Sequence, residues 1–512
     1  MRINPQIKHG SNSLLVPLLL GCSVYLYLNL FYLLRTPFLL SDDQVFFWMD
    51  AQRMLDGRHI YQDFIQFTPP GTDVIYLALF KLFGLRLWVT NVLVLALGLA
   101  FCWLCFSIAS EIMERKSAIL TTAFFLVLIY GKLLDATHHC FSVLVIMCAV
   151  KLCMGKITTA RIFLAGALLG IASFFTQTHA AAALFAFVIF LILKRWRDKT
   201  SRLDLLRDEF LLFLGCAVVA LLLYAPLVAA LGWKGLWYFQ VTYVMRYVVP
   251  IKAPMMGLPG PFNLRGSPKL LQVVFVYLSL PIVYLLTSWR CWRERYSSAF
   301  PWNGISLLSL VGFFLMIEVS LDLNSLRLYA VSLAGIILLI WSFDQAPKIR
   351  SYTMPVMSVG VICLAVWQTI SAYTVQPRKI LLPAGTVATS QRSYDKLSWL
   401  MEHTKPGQLF FQAAWPGVYL PLHLNNPAFV DQLYPGDQSR PEEVELTIQQ
   451  LDSKQVPYVL WAARLGSMDD LKRQPKDHLG LLRAYLHDRY SQVHSFPDGD
   501  QVWQRNITTN HP

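Results

Sequence analysis

Five aspartates, Asp42, Asp43, Asp50, Asp56 and Asp63, fall between two strongly apolar segments of a 512-residue chain in which only 15% of residues are charged. Acids kept against a membrane surface on so charge-poor a chain invite a functional reading. Ser41 followed three residues later by Gln44 has the spacing of a capping box, which predicts a helix beginning just after Ser41. Asp42 and Asp43 then occupy its first turn, where the positive end of the helix dipole favours the ionised carboxylate, the form that accepts a proton. Asp50 follows seven residues after Asp43, so the two carboxylates share one face while Val45, Trp48, Met49 and Leu55 turn to an apolar one. That pattern predicts a helix lying on the bilayer. Gly57 closes it, and Pro69-Pro70-Gly71 opens a second element, Thr72 to Phe83, apolar but too short to span.

Polar residues recur at the ends of later apolar stretches. Asp135 with His138 and His139, Gln177 with His179, and Arg327 with Tyr329 sit at helix ends facing the same side as the acidic loop, and Arg265 lies among aromatics and prolines in a second loop on that side. Asp and His at a common helix end are acceptable metal ligands, but the spacing of Asp135, His138 and His139 matches no established zinc pattern. Interfacial hydrogen bonding is the expected role, with Asp135 a candidate second acid. A cation at the interface such as Arg327 must either snorkel or find an anion.

The elements that must position these groups are membrane helices. With 55% hydrophobic residues and a mean hydropathy of +0.46, the chain reads as an integral membrane protein. Its net charge of +13 does not indicate nucleic acid, because the basic residues flank apolar spans instead of clustering on a soluble domain. Apolar stretches near Ser13–Leu34, Trp88–Ala109, Ala118–Tyr130, Phe141–Met154, Phe163–Phe175, Ala180–Leu193, Phe210–Leu231, Leu270–Thr287, Ile305–Ser320, Leu326–Phe343 and Met354–Tyr373 predict about eleven transmembrane helices of ~20 residues. The first is read as an anchor, having no small-residue cleavage site after it. Basic clusters at Glu114-Arg115-Lys116, Lys194 to Arg197, Arg290 to Arg295 and Lys348 to Arg350 mark the cytoplasmic side, which leaves the first loop (35–87) and the tail outside. Residues 1–375 form the transmembrane domain. Residues 376–512 read as a soluble α/β domain, with strands expected at Leu409–Ala413, Pro427–Val430, Tyr458–Trp461, Gln492–His494 and Gln501–Gln504, and helices at Ser393–His403, Pro441–Ser453 and Leu479–Arg489. All nine cysteines precede Ile380, so no disulfide framework is expected in the tail. The sequence shows no internal repeat, which weakens a transporter reading.

The pattern D-Q-x6-A-Q-R-M-L-x-G-x3-Y-x-D-F-x4-P-P-G from Asp43 to Gly71, with L-F-G at Leu82 to Gly84, resembles the membrane glycosyltransferases of the C-type fold (GT-C). The nearer likeness is to the bacterial branch grouped with protein O-mannosyltransferases and lipid A aminoarabinose transferases. Gln177-Thr178, Arg327-x-Tyr329, the span count and a soluble outer tail agree with it. The resemblance implies a polyprenyl-phosphate-linked sugar as donor, transfer with inversion to a hydroxyl of a glycan, lipid or protein, and a place in the cytoplasmic (inner) membrane with the tail extracytoplasmic. It implies no cofactor, a divalent metal remaining open. Asp43 is the implied general base, with Asp42 second. Tyr61, Asp63, Asp135, His138, Gln177, Arg327, Tyr329 and Arg265 are the implied substrate and donor contacts; for Tyr61 and Asp63, anchoring the loop is the alternative. Two departures stand out: Gln44 replaces an acid after the base, and Thr68 replaces a lysine before the two prolines. A substitute cation could come from Arg53, Arg58, Lys252, Arg265 or Arg327. A non-enzymatic alternative is a flippase for lipid-linked saccharides.

Overall fold

The computed structural model describes residues 14–33, 35–248, 268–298, 300–320, 325–434, 439–470 and 477–506. Packing divides the chain into two units that interleave along the sequence. One comprises Met1–Asn29, Leu93–Ala230 and Lys252–Ile370; the other comprises Leu30–Val92, Leu231–Ile251 and Ser371–Pro512. The boundary expected at 375/376 lies close to the last of these divisions, but the first loop groups with the tail and not with the helices.

The first unit is a helical bundle. The expected apolar stretches coincide with described helical segments, Leu326–Phe343 being divided between Ser325–Val331 and Leu333–Asp344. Among the described residues, six helices are long and apolar enough to cross a membrane, and Leu15–Leu30, His138–Met154, Thr159–Ser173 and Leu333–Asp344 are shorter apolar ones. Close backbone approach holds part of the bundle together. A Cβ added at Gly166 would lie 2.0 Å from the Leu212 carbonyl oxygen, and one at Gly215 would lie 2.2 Å from that of Phe163. In a lipid environment no hydrophobic force joins helices, so such small-residue contacts supply the van der Waals packing that does.

The second unit is α/β. An antiparallel hairpin, Arg378–Leu382 with Gly385–Thr389, which sequence pattern did not predict, is joined by Phe38 of the first loop, and the Leu39 N–H donates to the Ala388 carbonyl at 2.8 Å. A four-stranded mixed sheet follows. Phe411–Gln412 pairs parallel with Tyr458–Trp461, which pairs antiparallel with Gln501–Arg505, and that strand pairs with Tyr490–Ser495. Gln391–His403, Pro441–Ser453 and Gly480–Arg489 are the helices, close to the expected bounds. The core includes Phe411, Val459, Trp461, Leu482 and Trp503, and Ile65 of the first loop is part of it.

Two expectations need correction here. Pro427–Val430 is not a strand. Its carbonyls serve the first loop and a neighbouring helix, Phe429 accepting from the Ile65 N–H at 2.9 Å and Pro427 from Lys454 Nζ at 2.6 Å, so they are not available to a sheet ladder. The first-loop helix, Gln44–Leu55, does not lie on a bilayer: Gln44, Val45 and Phe47 through Arg53 are all buried. Its polar face packs on the tail, with Gln52 Nε2 donating to the Leu424 carbonyl at 2.9 Å. The cysteines of the described residues are free, and none lies in the tail.

Candidate active site

The helix carrying the candidate base begins with Asp43 as its N-cap, not with Ser41. No capping box forms. Asp42 takes a left-handed φ of 65°, which turns the chain into the helix, and Gln44 Nε2 donates back to the Ser41 carbonyl at 3.0 Å. Aspartate is among the residues that tolerate this conformation. Asp42 is exposed and Asp43 half-buried. Phe46, three residues on, packs edge-to-face on Trp415 of the tail with ring centroids 4.9 Å apart. Tyr434, also from the tail, lies within electrostatic reach of Asp43 and of Arg464, and its hydroxyl is pushed up to about 12, chiefly by burial.

About two helical turns beyond Asp43, the second acid of the predicted face is enclosed. Asp50 is fully buried and accepts from Arg53 at 3.2 Å and from Gln66 Nε2 at 3.0 Å. Arg53 also donates to Asp431 of the tail at 2.5 Å and to the Ala428 carbonyl at 3.1 Å. Asp73, from the Gly71–Phe83 helix, is enclosed in the same region and feels the Asp431 charge. Two buried carboxyls, Asp50 and Asp431, thus share one guanidinium, and a third, Asp73, lies within reach of Asp431 without a cation of its own among the described residues. Burial raises all three, Asp431 to about 6, and the mutual repulsion of the acids adds to it for Asp50 and Asp73.

The sign of the pH effect follows. A carboxyl raised in the folded state stabilises fully below its unfolded value of about 4 and loses that contribution as pH rises through its folded value. For Asp431 the window runs from about 4 up to about 6, and Asp50 and Asp73 act in the same direction. The melting temperature of the purified chain should therefore fall across that window, and Asp431→Asn should flatten the fall. A wild-type profile that rises there would show that the carboxyls are ionised and well paired.

The rest of the first loop is a scaffold. Tyr61 is buried at a left-handed φ of 68°; its hydroxyl donates to the Thr68 carbonyl at 2.9 Å and accepts from Gln240 at 2.6 Å, and its ring stacks on Phe239 at 5.2 Å. These contacts hold a conformation that costs about 1–3 kcal/mol. Asp63 is exposed and accepts from the His59 N–H at 2.7 Å, closing the turn. Thr68, where a lysine was expected, is buried.

The remaining candidates belong to the helical unit. His138 and His139 begin the His138–Met154 helix, their rings 3.9 Å apart, and His139 lies 5.0 Å from His179. His179 contacts Ser142 at 2.9 Å through Nδ1 and Glu318 at 3.1 Å through Nε2. Asp135 is fully buried just before this helix. Gln177 donates to Tyr224 at 3.3 Å. Arg327 is half-buried within electrostatic reach of Glu318, and Tyr329 is buried in the Ser325–Val331 helix. Arg265 and Lys252 lie outside the described residues. No three His, Cys, Asp or Glu side chains converge as metal ligands among the described residues.

Sequence reasoning missed Glu318, Asp431, Asp73, Trp415 and Arg464. Glu318 carried a signal, being the only acid in the apolar run from Trp302 to Ser320. The tail residues carried none, because their meaning comes from contacts distant in sequence, Asp431 with Arg53 and Trp415 with Phe46.

No protein-family model matches the sequence, and no curated protein matches it by sequence. Solved structures do share its architecture. The crystal structure of ArnT from Cupriavidus metallidurans bound to undecaprenyl phosphate is similar with a TM-score of 0.59 at 12% identity, covering 98% of this chain and 100% of that one. Its apo state gives 0.56 at 11%, over 96% and 97%. Archaeal oligosaccharyltransferase AglB from Archaeoglobus fulgidus, in complex with an inhibitory peptide and a dolichol-phosphate, gives 0.50 at 11%, over 96% of this chain and 74% of that one. At such identity the likeness concerns the fold: the chain has the GT-C fold of a multi-pass membrane protein.

Proposed function

We propose that this chain is a glycosyltransferase that moves a sugar from a polyprenyl-phosphate donor to a hydroxyl acceptor on the outer face of the cytoplasmic membrane, with inversion and with Asp43 as general base. One observation carries the reading. In a chain of GT-C fold, a half-accessible carboxylate stands at the start of a helix that is otherwise buried and clamped. Such a carboxylate is fixed in place yet open to a substrate. The acceptor O–H gives its proton to Asp43 as the oxygen attacks the anomeric carbon; the bond from that carbon to the phosphate oxygen breaks, and the phosphate leaves with the electron pair. Phosphate is a good leaving group and needs only cations around it. The solved relatives bound to undecaprenyl phosphate and dolichol-phosphate favour a lipid-phosphate donor here.

The geometry of Tyr61 and Asp63 favours a scaffold role over substrate contact. Asp135, His138, Gln177, Arg327, Tyr329 and Arg265 are proposed as donor or acceptor contacts. No cofactor is required by this mechanism. The test is transfer from radiolabelled polyprenyl-phosphate sugars by membranes carrying wild type, Asp43→Asn or Asp42→Asn. Full transfer by both variants at normal protein levels would sink the assignment. Mass spectrometry of surface glycans in a deletion strain then names the acceptor.

A further inference from the structure

Arg464 is exposed, yet the turn that presents it is held unusually firmly. The turn, Ala463–Leu465, follows the central strand Tyr458–Trp461. Its first N–H is bound by Asp500 Oδ1 at 2.9 Å, the Leu465 carbonyl accepts from the buried Arg483 at 2.7 Å, and the Gly466 carbonyl accepts from Trp461 Nε1 at 3.1 Å. Gly499 closes the remaining side, since a Cβ there would lie 3.0 Å from Ala463 Cβ. Three side-chain hydrogen bonds therefore fix a three-residue turn.

The guanidinium is fixed as well. It lies 5.4 Å from the Trp415 ring centroid, in the cation–π range. Trp415 is the ring on which Phe46 packs, one turn along from Asp43, and Tyr434 senses both Asp43 and Arg464. Arg464 forms no ion pair with a described residue. The other cations of this unit weighed for such a role are occupied: Arg53 by Asp50 and Asp431, and Arg58 by the Asn426 carbonyl at 2.7 Å.

We infer that Arg464, seated on Trp415 against the helix that begins at Asp43, binds a phosphate oxyanion of the substrate. An arginine suits this because its planar fork binds phosphate oxygens in pairs while its face stays on an aromatic ring. The phosphate has two possible sources, the lipid carrier or a phosphorylated acceptor. The inference rests on the transferase reading but is tested by binding, which needs no turnover.

The full chain in nanodiscs would be titrated with undecaprenyl phosphate against undecaprenol, and with glucose 6-phosphate against glucose, for wild type, Arg464→Gln, Arg464→Lys and Trp415→Leu. Arg464→Gln should lose about ten-fold or more of the preference for the phosphorylated member of one pair. Arg464→Lys should keep part of it, and Trp415→Leu should lose part. Loss in the lipid pair assigns the carrier phosphate; loss in the sugar pair assigns a phosphorylated acceptor. An unchanged ratio in both pairs, at unchanged melting temperature, overturns the inference. Should that result accompany lost transfer in Asp43→Asn, the transferase reading stands without it.

Discussion

Asp43→Asn should reduce transfer from a polyprenyl-phosphate sugar by roughly 100- to 10,000-fold, the usual worth of a general base, while leaving the melting temperature within about 1 °C. The asparagine keeps the shape but loses the negative charge and with it the proton affinity. Folding tolerates the change because Asp43 is half-buried and its side chain makes no capping bond to its helix. Asp42→Asn should cost far less: Asp42 is exposed, its conformation rather than its charge turns the chain, and asparagine also accepts a left-handed φ. Reversal of that order, with Asp42→Asn the severe variant, would move the base by one residue. Equal and modest losses would point to a role in presenting the helix.

Arg53→Gln should be the most destabilising single change in the loop, costing about 3–5 kcal/mol, because removing one partner of a buried pair leaves its acids uncompensated. Arg53 is 3% exposed and is the one cation paired with Asp50 and Asp431 among the described residues. Adding Asp431→Asn to Arg53→Gln should recover part of the loss, the mark of direct coupling. Asp73→Asn should be neutral or stabilising, since it replaces a buried carboxyl that no described cation pairs with and whose ionisation burial opposes. Melting temperatures of the purified chain decide the matter. If Arg53→Gln melts like the wild type, the network does not hold the loop. A second consequence concerns activity: Arg53→Gln should also lower transfer, because the helix that begins at Asp43 depends on this clamp.

Hydropathy placed the apolar helices because each one must satisfy its own backbone in lipid, so length and composition suffice to find it. The run from Asp43 to Gly71 pointed to the GT-C fold for a related reason, its spacing being a local property of one loop. The tail helix Pro441–Ser453 was also legible, because its apolar residues recur at helical spacing. The capping box at Ser41 was misread because two competing local choices fit the same residues. In the fold, Asp42 turned left-handed and Gln44 served a carbonyl instead of an amide. The hairpin Arg378–Leu382 with Gly385–Thr389 escaped notice because its stability comes partly from Phe38, a strand partner some 350 residues earlier.

By itself the sequence determined which segments are apolar helices, where the charged loop lies and which carboxylates lead it. Those are matters of local composition and spacing, which any window of the chain contains. Tertiary structure alone decided that the loop helix is buried, that Arg53 answers to an acid 378 residues away, and that Arg464 sits on Trp415, the ring against which Phe46 packs. The reason is physical: burial and charge pairing belong to the space around a residue, and that space is filled here by a tail the chain reaches only after the helical unit has been laid down.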